Sequence, residues 1–221
     1  MELIKQAVKV GNSAGVLLPR KYLNSLVKIV LEPLNIEKEV LDILMKEGIL
    51  KDVMGIYLFG SYARGEETAD SDIDILVITG NLTKALKEGN YDILFISKEK
   101  LENNLNRNLY LYSLIREAKV IFNKELIENY KNVKFDLRLS KKLKEISRVT
   151  RINQGFVAIG EKEEKVMDGT IYSIILRLRE LFLINCLIHG KDYSNKVFLR
   201  LVEKESNLER YKAYLRFKNN E

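Results

Sequence analysis

The stretch that decides the fold runs from Leu58 to Ile78: LFGSYARGEETADSDIDILVI. An apolar, strand-like run stops at Gly60-Ser61, passes through a polar segment, and resumes around Asp72 and Asp74. A strand built only for packing has no use for two carboxylates among Ile73, Ile75 and Leu76. Residues i and i+2 of a strand point the same way, so both acids project from one face. Like charges held that close repel unless a cation sits between them. Hard divalent cations such as Mg²⁺ take oxygen ligands, commonly one or two carboxylates together with substrate phosphates. Asp72 and Asp74 are therefore candidate metal ligands.

Gly60 and Ser61 stand where a strand ends. If a helix begins there, its free N–H groups make an anion site. Gly60 has no side chain to keep a phosphate from the backbone, and Ser61 has a hydroxyl to donate. Phosphate at Gly60-Ser61 and metal at Asp72 and Asp74 then lie at the same sheet edge. Asp92, inside YDILFIS, is a third carboxylate on a strand-like run. It either completes the metal site or takes a proton from an attacking hydroxyl. Taken singly, a Gly-Ser turn or an Asp-x-Asp pair is common; the combination in this order is not. Arg64 has the reach for a phosphate but reads first as an exposed helix arginine, and Glu66, Glu67 and Asp70 read as solvated loop charges.

Outward from this segment, MGIYLF (54–59), IDILVIT (73–79) and YDILFIS (91–97) read as strands, and KVIF (119–122) is a further short run. Ile36, Val40, Ile43 and Leu44 recur at helical spacing, with Gly48 as a stop. Leu101 to Glu117 reads as helical, and so does everything beyond residue 140. There Ile171, Ile174, Ile175, Leu178, Leu181 and Phe182 form a wide stripe, Gly190 breaks it, and Ser194 caps the next helix.

The order Gly60-Ser61, ten residues, Asp72-x-Asp74 and a later strand aspartate, Asp92, resembles the nucleotidyltransferase superfamily related to DNA polymerase β. The wording of 58–78 is most similar to its small prokaryotic branch, the minimal nucleotidyltransferases, some of which are antitoxins that adenylylate a HEPN toxin. The resemblance covers about residues 36–124. It implies Mg²⁺, an NTP donor (ATP as the first choice) and transfer of a nucleoside monophosphate to an acceptor hydroxyl, including one on a protein. It also implies Asp72 and Asp74 as metal ligands and Asp92 as the third carboxylate. The acceptor stays open among a protein, an RNA end and a small molecule.

The first thirty residues carry a second pattern. Val8, Val10, Val16 and Leu18 are strand-type around the turn Gly11-Asn12-Ser13, Pro19-Arg20-Lys21 opens a helical turn, and VKIVL (27–31) reads as another strand. Residues 3–32 resemble the swapped-hairpin arms of AbrB, SpoVT and MazE-type regulators. The resemblance implies a homodimer, because so short a segment cannot bury its own apolar face. It also raises DNA binding through Lys5, Lys9, Arg20 and Lys21, which gives an alternative function as a dimeric DNA-binding regulator or antitoxin-like protein.

The chain is 221 residues long with a net charge of +6. The segment 126–221 carries +7 and 51–125 carries −2. A basic flank suits a nucleic-acid or nucleotide partner, or is a solvated helical surface. One cysteine, Cys186, excludes an intrachain disulfide, and one histidine, His189, argues against a His-based zinc site. No apolar run reaches the roughly 18–20 residues of a membrane span, and the start is too polar for a signal peptide, so a cytoplasmic setting with no membrane partner is expected. In the tail, Tyr172, Arg177 and Arg179 are candidates for shaping an acceptor site, while Asn185 and His189 read as parts of a packed helix. The expected architecture is α+β. A small mixed-sheet core (34–124) follows a β-hairpin dimerisation arm (1–33, with a boundary at Pro33) and precedes a helical tail (125–221).

Overall fold

The apolar runs assemble into one sheet. The computed structural model describes residues 3, 5, 7–11, 13–29, 35–68, 71–134, 139–162 and 166–205. The chain divides into two units, 1–36 and 37–221. In the first, β1 (Val8–Val10) and β2 (Ser13–Gly15) form an antiparallel hairpin, and Pro19 leads into a 3₁₀ turn at Arg20–Tyr22. Residues 27–29, expected as a strand, have no regular structure; 30–31 and the boundary expected at Pro33 lie outside the described residues.

In the second unit α1 (Ile36–Lys46) leads to β3 (Val53–Phe59), α2 (Gly60–Arg64), β4 (Ile73–Thr79), β5 (Lys84–Glu88) and β6 (Tyr91–Ser97). Then come α3 (Lys98–Asn104), α4 (Leu109–Glu117), β7 (Lys119–Phe122) and α5 (Lys124–Lys131). The long helices α6 (Ser140–Lys162) and α7 (Asp168–Ile188) and the shorter α8 (Asn195–Glu205) follow. The sheet order is β5-β6-β4-β3-β7, with only β4 and β6 parallel. This is an α+β fold with a mixed sheet.

β4 is central and covered on both faces, which is why its apolar run is nearly continuous. Leu76 and Ile78 pack with Tyr57, Leu101, Leu111 and Ile115 beneath α3 to α5. Ile73, Ile75 and Val77 alternate to the opposite face. There the Tyr91 hydroxyl donates to Glu39 of α1 at 3.0 Å, and Val40 and Leu44 of that helix are fully buried. By the same alternation Asp74 and Asp92 belong to the α3–α5 face, at its end.

Two elements differ from the sequence expectation. β5, KALKE, was not expected: it is an edge strand whose Lys and Glu residues blunt the open edge. Gly89, at φ +58°, turns it into β6. The helix expected over 101–117 is two helices. Asn108 accepts hydrogen bonds from the Tyr110 and Leu111 amides and so starts α4 afresh.

Candidate active site

β3 and β4 run antiparallel, so the end of one meets the start of the other. Phe59 pairs with Asp74, and Asp74 pairs with Asp92 across the parallel ladder. The Gly-Ser turn and the acidic residues thus share one end of the sheet. Asp74 is half-buried, Asp92 exposed. Burial, then the Asp92 and Asp72 carboxylates, push Asp74 up to about 6, with Arg64 opposing. Asp72, just before β4, accepts a 3.1 Å ion pair from Lys87 of β5.

Gly60 has a steric reason of its own. Its φ is +70°, and a Cβ there would fall 1.9 Å from Asp74 Oδ2. Glycine is required both for the backbone shape and to leave room for the aspartate. The Gly60 amide donates to Glu117 Oε1 at 3.2 Å, so the end of α4 reaches the amide that the sequence reading left open for a phosphate. The Ser61 hydroxyl has no hydrogen-bond partner among the described residues.

From Glu117 a chain of charges leads into the helical tail. Arg64 Nη1 meets Glu117 Oε2 at 2.6 Å, and Arg64 Nε meets Glu66 Oε2 at 2.9 Å. Glu66 in turn accepts from the Ser194 hydroxyl and from the Asn195 and Lys196 amides at the start of α8. Burial alone would raise Glu66, but these donors outweigh it and hold the carboxyl at about 2. Two guanidinium groups, those of Arg64 and Arg179, each lie 5.5 Å from the centroid of the Tyr193 ring.

Residues 37–172, well over half of the chain, match the nucleotidyltransferase domain family. The chain belongs to this family. Over 43 residues it is 60% identical to a candidate protein adenylyltransferase of Methanocaldococcus jannaschii, covering 18% of this chain and 43% of that protein. The chain therefore spans less than half the length of this curated relative. A nucleotidyltransferase-like protein from Exiguobacterium sibiricum is similar at 16% identity and TM-score 0.36, over 82% of this chain and 67% of that one. A toxin–antitoxin structure with AMP-PNP is similar at 19% identity and TM-score 0.31, over 59% of this chain and 99% of that one.

In this member of the nucleotidyltransferase domain family Arg64 and Glu66 correct the sequence reading. Arg64 is no exposed helix arginine: its side chain is 15% exposed and paired twice. Glu66 is no solvated loop charge, since it caps α8; Glu67 is exposed as expected, and Asp70 lies outside the described residues. Their partners stand far along the chain, and local sequence gives no sign of them. Among the tail candidates Arg177 is engaged with Glu180, a 2% exposed carboxylate that also meets Lys142 and the Tyr110 hydroxyl. Tyr172 packs near Phe198, and His189 Nδ1 lies 2.8 Å from the Asn185 carbonyl at the end of α7. No helix among the described residues is long and apolar enough to cross a membrane.

Among the described residues no three acidic, histidine or cysteine side chains converge as a metal cage. The donor chemistry still fits a hard cation. Asp72, Asp74 and Asp92 offer only oxygen, and the upward shift of Asp74, due first to burial and then to its two acidic neighbours, is one that a bound cation would oppose.

Proposed function

We propose that this nucleotidyltransferase moves a nucleoside monophosphate from ATP to an acceptor hydroxyl, on a protein in the first instance. The observation that carries the reading is the register that sets Asp74 beside Asp92 and opposite the Gly60 end of β3. Mg²⁺, held by Asp72 and Asp74 with Asp92, would supply charge neutralisation for the triphosphate and polarise the phosphorus under attack. The protein's own groups have separate tasks. Ser61 donates its unpartnered hydroxyl to a phosphate oxygen. Gly60 keeps Asp74 in place by having no side chain. Asp92, exposed at the strand start, accepts the proton of the attacking hydroxyl. The acceptor oxygen bonds to the α-phosphorus, the bond to the bridging oxygen breaks, and pyrophosphate leaves with the electron pair. A protein acceptor and ATP draw support from the Methanocaldococcus relative, within the stretch that it shares.

The full chain, incubated with Mg²⁺ and each α-labelled NTP in cell lysate, is expected to label one macromolecule, most strongly with ATP. The Asp72→Asn, Asp74→Asn double variant is expected to label none. Labelling that survives the double variant overturns the reading.

The N-terminal unit supports a second role. Leu17, Leu23, Leu26 and Ile29 are all more than 60% exposed, and its 3₁₀ turn buries nothing. Such a surface gains stability by pairing with a second copy. We infer a homodimer through swapped-hairpin arms, with Lys5, Arg20 and Lys21 available to a DNA backbone. Removal of 1–33 is expected to convert dimer to monomer in sedimentation and to abolish salt-dependent operator binding. A truncated chain that is still dimeric counts against the arm.

A further inference from the structure

A cavity of about 360 Å³ opens where α2 and the end of α4 meet the turn between α7 and α8. Its size is that of a small-ligand site. The charges that line it fall into two groups. Arg64, Glu66 and Glu117 are committed to one another, to α8 and to the Gly60 amide. Arg116 and Lys191 also line the cavity, are exposed, and pair with no carboxylate among the described residues. Asp192 is the one remaining acid of the lining without a partner there. The uncommitted groups are thus two cations and one carboxylate, with the Ser113 hydroxyl nearby and an apolar floor from Leu183 and Leu187.

We propose that this cavity binds a phosphate-bearing ligand, with Arg116 and Lys191 on the phosphate and Asp192 accepting from a ligand hydroxyl. Arginine offers paired N–H donors to phosphate oxygens and lysine a mobile point charge. The cavity adjoins the candidate active site through Glu117, which bonds the Gly60 amide on one side and lines the cavity on the other. Two sources carry the required chemistry: the polyphosphate tail of the donor nucleotide, or a phosphorylated acceptor. The choice between them rests on the transferase reading; the phosphate site itself does not.

The test is calorimetric titration of the full chain in metal-free buffer. Pyrophosphate and glycerol 3-phosphate are titrated separately, with and without a saturating non-hydrolysable ATP analogue. At least one is expected to bind, and Arg116→Gln and Lys191→Gln each to weaken it roughly ten-fold. Pyrophosphate binding that disappears with the analogue present assigns the cavity to the donor tail. Glycerol 3-phosphate binding that survives the analogue assigns it to a phosphorylated acceptor. If neither compound binds, or both variants bind like the wild type, the proposal falls. Both side chains are exposed, so unchanged melting temperatures are expected; should Arg116→Gln not fold, Lys191→Glu carries the test alone. Asp74→Asn is expected to keep this binding while losing nucleotide transfer. A wild type that transfers nothing yet binds phosphate through Arg116 and Lys191 sinks the transferase reading and leaves the cavity standing.

Discussion

Asp74 and Glu66 stand close in sequence, are both partly buried carboxylates, and are treated in opposite ways by their surroundings. Asp74 meets burial and two further acids and rises to about 6; Glu66 meets a hydroxyl, a guanidinium and two amides and falls to about 2. The difference separates a group held ready from a group fully used. A carboxylate that is hydrogen-bonded on every side ties elements together. One left facing its own kind persists only where a cation or a proton completes it.

The strongest way to break this contrast is Asp74→Asn. Transfer is expected to fall by roughly a hundred- to a thousand-fold. The folded state without metal is expected to gain about 1–2 kcal/mol, since a half-buried charge that also faces two acids is removed. Labelled-NTP assays and thermal denaturation read the two effects, and a marked loss of stability would put Asp74 among the structural acids. Gly60→Ala comes next. It combines a left-handed backbone with an overlap on Asp74 Oδ2, and should cost about 1–3 kcal/mol as well as most of the activity.

Glu66→Gln attacks the other side of the comparison. Loss of the charge at α8 and beside Arg64 should lower stability by about 1–2 kcal/mol, a few degrees in melting temperature. This effect carries a pH signature. A carboxylate held below its ordinary value stabilises the fold above about pH 4.5, and that contribution disappears as pH falls towards 2. Wild type and Glu66→Gln are therefore expected to converge in urea stability as the solution is acidified over that window. A gap that stays constant removes Glu66 as the cause. Lys87→Ala should do least. Its pair with Asp72 is exposed on both sides, and no change in melting temperature is expected.

What could be read from sequence follows the same division. β3, β4 and β6 coincide with apolar runs because burial acts on neighbours in the chain. Ser194 was recognisable as a cap, since capping is local, and it receives the Val197 amide. That Gly60 and Asp74 share one end of the sheet was legible, because strand alternation fixes the direction of side chains; the neighbouring of β6 and β4 that brings Asp92 there was not, since alternation does not say which strands pair. β5 was not, because its lysines and glutamates serve an edge rather than a core. Arg64 and Glu66 were misread for a different reason. Their partners, Glu117 and the start of α8, lie 53 and about 130 residues further on, and no periodicity joins such distances.

Gly60 also constrains how this chain can drift over generations. While position 74 holds an aspartate in this rotamer, a residue with a Cβ at position 60 collides with it, so the two sites cannot be altered independently. A lineage would first have to shorten residue 74, and that first step already removes the acid. Even then the left-handed backbone at φ +70° strains any side chain at 60, so loss of Asp74 alone does not free that position.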